Sequence, residues 1–534
     1  MEHDQACPGH WSRECNWTFN TNEAVILDEV SSGPNLLGAV DAKVGISLQV
    51  QAYSHTFLLG EYSGYVIMFS MRIVRLRLCI PLGKVGKLVL AVPLFLILTL
   101  VIALSQPQAD LGRELGANAK ARQVLAIEST QEWTQWGGPH RNFISDATGL
   151  ADSWPDTGPR QLWSRPLGNG HSTIIVENGR LYTMYRPKRE GSRSGEFAAM
   201  ESVISLDATT GETLWEYSYA AQPLNFRFGA GPHSTPLVVG DRLFTAGTNK
   251  QIHGFDKQTG KLLWSHDLVA EYGAPPTLIR PAVTAGYAVS PLAYGETVIV
   301  TAGGDDQSVM AFRQDNGVLV WKSGDFLISP SSPILIDLAG QTQLVVVGGQ
   351  TINGLNPDTG EILWSHPHDT DGDMNNTTPT WGDDNLLFVS SAYNGGSRGL
   401  RLDRTSDGTM VKEEWFTRDM LVMYGTTIRL GDFIYGSSGG FGPAFITALD
   451  LRSGTTAWKE RGLSRAHLLY ADGKLILLDE DGNLVLAQVS PTGMTVHSRA
   501  EVLTGRSWTA PTLVGTTLFL RDRLVIKALD LGPG

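Results

Sequence analysis

After residue 160 the chain writes the same short pattern eight times: an apolar strand, a glycine turn, a second strand ending in a small residue or Asp, a Thr-Gly or Asn-Gly turn, and a strand carrying Trp. The clearest copies are Asp207-Ala208-Thr209-Thr210-Gly211-Glu212-Thr213-Leu214-Trp215, Asp256-Lys257-Gln258-Thr259-Gly260-Lys261-Leu262-Leu263-Trp264 and Asn356-Pro357-Asp358-Thr359-Gly360-Glu361-Ile362-Leu363-Trp364, with looser copies ending at Trp321, Trp415 and Trp458. Successive Trp positions lie roughly 43 to 57 residues apart. That period suits a four-stranded propeller blade, whereas helical repeats would show a 3.6-residue apolar period that is absent here.

Each unit opens on a small polar residue and Pro, as in Ser234-Thr235-Pro236, Val289-Ser290-Pro291, Ser331-Ser332-Pro333, Thr377-Thr378-Pro379 and Thr509-Ala510-Pro511. Degenerate openings at Ser172-Thr173-Ile174, Gly425-Thr426-Thr427 and Ala466-His467-Leu468 bring the count to eight. The last unit has no Trp strand of its own, and Leu162-Trp163-Ser164 stands alone before the first. A ring that closes by pairing its first strand with its last unit leaves no open sheet edge, so 160–167 is predicted to complete the eighth blade. The expected fold is all-β: an eight-bladed β-propeller of four-stranded blades, preceded by one N-terminal transmembrane helix.

Repetition also explains the length, because blades that pack only on their neighbours let about 370 residues form one domain. Glycine, 59 of 534 residues, is enriched as hairpin turns require. The net charge of −12 argues against a nucleic-acid partner, which would call for a basic face. Cys7, Cys15 and Cys79 all precede the repeats, so the propeller is suited to an oxidising compartment.

The uncharged run from Leu88 to Leu104 follows Arg72, Arg75, Arg77, Lys84 and Lys87, a charge asymmetry that predicts export of everything beyond Ser105. Its length, about 17 residues, lies between a short membrane span and a long signal core, and Ala103 with Ser105 offers a small-residue cleavage site. An anchor is the favoured reading and a cleaved signal the other. Residues 1–70 form an N-terminal extension, either a cytoplasmic tail or sequence upstream of a true start at Met71. Residues 71–105 are the basic flank and membrane segment, 106–130 a polar tether, and 131–534 the propeller.

The repeats resemble the pyrroloquinoline-quinone (PQQ) repeat propellers, the quinoprotein alcohol dehydrogenase-like family. Its Ala-x-x-x-Gly-x-x-x-Trp signature is approached by Ala208, Gly211 (one residue early) and Trp215; elsewhere Asp, Arg or Asn replaces the Ala. The resemblance spans about residues 131 to 531 and includes Trp133-Thr134-Gln135-Trp136-Gly137-Gly138-Pro139 and Trp508-Thr509-Ala510-Pro511. It implies that Trp215, Trp264, Trp321, Trp364 and Trp458 dock neighbouring blades. It also implies two functional classes. Dehydrogenases of the family use PQQ, calcium and a carboxylate base, and typically clamp PQQ with adjacent cysteines; this propeller has no cysteine. Non-catalytic relatives include the propeller of the outer-membrane β-barrel assembly machinery.

Other motifs are weaker. Asp369, Asp371 and Asp373 space oxygens like the start of a calcium loop, but Gly372 falls too early and no Glu closes twelve residues. Gly303-Gly304-Asp305-Asp306 and Asp479-Glu480-Asp481-Gly482-Asn483 read as hairpin turns. Gly436-Ser437-Ser438-Gly439-Gly440 matches a hydrolase pattern that needs a strand-turn-helix elbow, and here it joins strands. His171-Ser172 and His233-Ser234 are adjacent residues, which point apart in a strand.

One constellation remains. Three residues before each opening Pro or its replacement stand His171, His233, Ala288, Pro330, Asn376, Tyr424, Arg465 and Trp508. Equal register in a radial repeat places them in one ring at the mouth of a funnel, so His171, His233, Asn376, Tyr424, Arg465 and Trp508 are candidate ligand- or partner-binding residues; water-lined channel is the alternative. The expected function is that of a membrane-tethered, monomeric scaffold outside the cytoplasm, in the periplasm of a bacterial envelope, binding envelope proteins or peptides without a cofactor or resident metal. A PQQ- and calcium-dependent dehydrogenase of alcohols or sugars is the alternative, and a carbohydrate or peptide binder the third.

Overall fold

The computed structural model describes residues 132–189, 197–224, 228–277, 286–440 and 442–533, together with the backbone of 47–62 and 65–79. The chain divides into two compact units, Met1–Gln108 and Ala109–Gly534. In the first, Ser47–Tyr62 and Tyr65–Cys79 pair as an antiparallel hairpin. The apolar run and the tether lie outside the described residues. No helix among the described residues is long and apolar enough to cross a membrane.

In the second unit, eight four-stranded antiparallel sheets follow one another, each a meander. The innermost strands are Ile175–Glu177, Leu237–Val239, Leu292–Tyr294, Ile334–Leu338, Thr380–Gly382, Val422–Leu430, Ala466–Ala471 and Thr512–Val514. The eighth sheet takes its outermost strand, Arg160–Pro166, from the start of the domain, where it pairs with Val525–Asp530. Ring closure therefore joins residues more than 350 positions apart in sequence, such as Arg160 and Asp530.

The opening Ser/Thr-Pro pairs do not lie within the innermost strands, as the sequence pattern suggested, but just ahead of them. Proline has no N–H to give the ladder, so pairing begins one residue later. In the sixth blade, which lacks the Pro, the strand begins at Val422, before Tyr424.

The two middle strands of a blade are covered on both faces by neighbouring blades, and their runs are apolar throughout: Leu475, Ile476, Leu477 and Leu478 are all fully buried. The outermost strand alternates, as in Thr213–Ala220. All eight blades share a further device invisible in the repeat pattern. Between the third and fourth strands each sheet carries a β-bulge at the same register, as where Gly254 faces Trp264 while Phe255 faces Leu262. The extra residue is expelled outward, which explains why Leu162, Leu214, Leu263 and Val320 are exposed although they sit beside buried or half-buried Trp. The bulge re-aims the strand so that the Trp on it faces the next blade.

There the indole N–H donates to the backbone carbonyl of the next blade's turn: Trp163 to Ala208, Trp215 to Lys257, Trp264 to Gln314, Trp321 to Pro357, Trp415 to Leu451 and Trp458 to Ser490, at 2.7–3.1 Å. Trp364 differs. Its N–H goes to Gln343 of its own blade, and Gln343 in turn reaches Thr409 of the next. The fifth blade's outer hairpin, Gly396–Thr405 with Gly408–Thr417, runs long and lacks the Thr-Gly turn that receives the indole elsewhere.

The turn glycine serves twice at this joint. Gly260 has φ of +70°, and a Cβ there would lie 2.5 Å from the ring of Trp215. Gly260→Ala is therefore expected to cost about 2 to 4 kcal/mol, left-handed strain plus overpacking. Gly240→Ala, at φ +57° with open space around it, should cost only about 1 kcal/mol. Equal losses in urea melts would mean that the glycines serve turn geometry alone.

Residues 132–158 form a strap across the propeller. Trp133 pairs with Val176 of the first blade, Thr134 accepts from Val238 of the second, and Trp136 donates to Thr378 beside the fifth. Phe143 and Ser145 bond Tyr470 of the seventh blade, and Ala151 bonds Leu531 after the eighth. Trp154 N–H donates to Ser498, covering the seventh blade's outer strand, which carries no Trp.

Candidate functional site

Because the innermost strands start together, the residues at or just ahead of their starts converge. His171, His233, Ala288, Pro330, Asn376, Tyr424 and Trp508 line one central cavity of about 140 Å³, together with Trp136, Phe228, Met374, Tyr393 and His467. Arg465 does not line it. The Arg465 Nε instead donates to the Gly440 carbonyl at 2.6 Å, and its Nη1 pairs with Glu480 at 2.6 Å.

Trp508 is the hub of the aromatic wall. Its ring centroid lies 5.4 Å from His171, 5.7 Å from Phe228 and 5.2 Å from Tyr424, and Arg523 stacks over it at 5.0 Å. His171 and His233 meet edge-on at 5.1 Å. Burial, with the charges of His233 and Arg523 adding to it, holds His171 well below the usual imidazole range, while burial brings His233 and His467 down to about 4. All three are neutral at pH 7. The Nε2–H of His171 donates to the Phe228 carbonyl and that of His467 to the Trp508 carbonyl. Their Nδ1 atoms, and the Asn376 side-chain oxygen, are buried with no hydrogen-bond partner among the described residues. A small, mostly aromatic pit with a few unused polar atoms is what such a wall offers a ligand.

Behind Tyr424 and Trp508 sits Glu480, buried at 6 % exposure. Its carboxylate accepts from Tyr424 Oη, from Trp508 Nε1 at 2.7 Å and from Arg465, with Arg506 at 3.3 Å. The pattern Asp479-Glu480-Asp481-Gly482-Asn483 does form a turn, with Asp479 Oδ1 accepting from Asp481 and Asn483 N–H. Reading it only as a turn missed Glu480, whose role depends on three residues 15 to 56 positions away. His467 was visible only as part of a degenerate opening, and Phe228 carried no signal at all.

The weaker motifs resolve into local structure. Asp371 and Asp373 flank a single 3-10 turn, Asp371 accepting from Asn394 and Asp373 from Gln350, while Asp369 is exposed. Among the described residues no three His, Cys, Asp or Glu side chains cluster as a metal site would require. Ser172 Oγ accepts from Met184 N–H rather than from His171. Gly436, Ser437 and Ser438 end a strand, Phe433–Ser438, with no helix after them.

Radial four-stranded blades, joined by indoles that bond the next blade's turn and closed by the first strand, define an eight-bladed β-propeller. The comparisons support a propeller of the PQQ-repeat kind, similar to outer membrane protein assembly factor BamB. The family model described under that name matches residues 199–460. BamB of Yersinia pestis is 22% identical over 371 residues, 68% of this chain and 76% of that protein. The quinoprotein alcohol dehydrogenase PedH of Pseudomonas putida is 27% identical over 169 residues, 29% of this chain and 25% of the enzyme. Among solved structures, quinohemoprotein alcohol dehydrogenase from Comamonas testosteroni aligns with a TM-score of 0.53 and 13% identity over 78% of this chain and 84% of that one, a likeness of fold.

The fold family implies PQQ with a divalent cation, and the residues at the central cavity do not fit that pair. A pocket that buries a ligand of that size has a volume of about 300 Å³ or more, against about 140 Å³ here. No carboxylate among the described residues lines the cavity, and Glu480 behind it is taken up by Tyr424, Trp508 and two arginines.

Proposed function

We propose that this protein is a scaffold propeller of the bacterial cell envelope, acting in outer-membrane protein assembly by holding envelope proteins or peptides against the ring face. The observation that carries the reading is the extent of the likeness to the assembly factor, 371 residues through most of the propeller, against 169 residues and a quarter of the dehydrogenase. The wall of Trp508, Tyr424, Phe228 and the neutral histidines supports it further, since half-buried aromatics flanked by Arg506 and Arg523 are the residue types that anchor partner side chains. In this reading the run from Leu88 to Leu104 tethers the propeller, which lies outside the cytoplasm.

The test is photo-crosslinking in intact cells. A crosslinking amino acid at His233 is expected to give discrete adducts with envelope proteins, and one at Lys261, on the outer side of the second blade, is expected to give none of the same adducts. Identical adduct patterns from both positions would place the binding surface elsewhere.

A further inference from the structure

The strap divides the channel. Trp136 lines the aromatic cavity on one side and, on the other, a second cavity of about 290 Å³ further along the innermost strands. The second cavity is walled by Gln135, Trp136 and residues 139–143 of the strap and by Thr378, Thr380, Thr426 and Thr427, and none of its lining residues is acidic. One of them is Arg141, 6 % exposed. Its Nη1 donates to the Pro291 carbonyl at 3.1 Å and to the Gln135 side-chain oxygen at 3.3 Å. Its Nε and Nη2 are buried and have no hydrogen-bond partner among the described residues. These two atoms form one edge of the guanidinium, the fork that a carboxylate or phosphate grips with two parallel hydrogen bonds.

A buried cation without a counter-charge is costly, and burial lowers Arg141 to about 9. The nearby hydroxyls are donors too. Thr378 Oγ1 accepts from Trp136, which leaves its own proton free, and Thr380 and Thr427 share one hydrogen bond between two hydroxyls, which leaves another. The acid at the rim, Asp146, lies 4.0 Å from His140 and is more than half exposed. The wall therefore offers donors and positive charge, and no anion among the described residues completes it.

We propose that this strap-side cavity is an oxyanion-binding site, in which Arg141 receives a carboxylate or phosphate group through its Nε–Nη2 edge with Thr378 as a supporting donor. The site is separate from the ring face and does not depend on the scaffold reading.

Purified full-length protein would be titrated calorimetrically with sodium acetate and, separately, with inorganic phosphate at constant ionic strength, with chloride as reference. Saturable binding of at least one oxyanion, raising the melting temperature, is expected. Which of the two binds distinguishes carboxylate from phosphate ligands. Arg141→Met should weaken that binding by about tenfold or more, the worth of a charge-assisted pair. Arg141→Lys keeps the charge but not the fork, and should also weaken it; this variant decides the matter if Arg141→Met does not fold. Absence of saturable binding by either oxyanion, or unchanged binding in folded Arg141→Lys, would overturn the proposal.

Discussion

Trp264→Ala is expected to destabilise the propeller by about 3 to 5 kcal/mol, the range for deleting a buried aromatic ring. Trp264 is 8 % exposed. It packs between Phe244 of its own blade and Phe312 of the next, over Gly317, and its N–H reaches the Gln314 carbonyl. Deletion removes the ring and leaves that carbonyl without its donor. Because each blade touches only its neighbours, one lost joint weakens the closed ring at a single interface, so the change should appear as a lower urea midpoint. A loss below about 1 kcal/mol would show that the indole contributes little to docking.

Glu480→Gln is expected to cost a similar amount, about 3 to 5 kcal/mol at pH 7, because removing one partner of a buried ion pair leaves its cations unmatched. Burial alone would raise the Glu480 carboxyl, but hydrogen bonds from Tyr424 and Trp508 and the charges of Arg465 and Arg506 outweigh it and hold it below the usual carboxylate range. With the folded value below the unfolded one of about 4.3, the carboxylate's contribution is fully present above that unfolded value and is lost as pH falls through the folded value. The gap between wild type and variant should therefore narrow below about pH 4. A gap that is the same at pH 7 and pH 3 would mean that size, not charge, is what Glu480 supplies. The substitution should also loosen Tyr424 and Trp508, and with them the aromatic wall. Crosslinking from His233 provides a second readout.

Much of this was legible in the sequence, for a definite reason. A repeat fixes equivalent residues at equivalent radius and height, so counting three residues back from each opening found seven of the cavity's lining residues without any knowledge of contacts. Arg465 is the exception. Its side chain is drawn aside by Glu480, which stands opposite it one rung beyond the Ala466–Asp479 pair, a cross-strand ion pair that the spacing of the openings does not show. The exposed leucines beside the docking Trp residues are another case: alternation would place them by a strict two-residue period, and the bulge in every blade adds one. The Trp364 joint departs because the following blade, not its own, lacks the receiving turn.

The sequence by itself determined the architecture: the period, the Trp spacing and the stray strand at Leu162-Trp163-Ser164 require a ring of eight blades closed by its first strand. Those features are local, and each blade repeats them. Tertiary structure alone decided the chemistry of the channel. Glu480 became a hub, and Arg141 came to rest with no counter-charge among the described residues, in one cavity with four threonines from other parts of the chain, only because strap and blades converge on one axis. A side chain's charge balance is a property of everything packed within a few ångströms of it, and no run of sequence contains those neighbours.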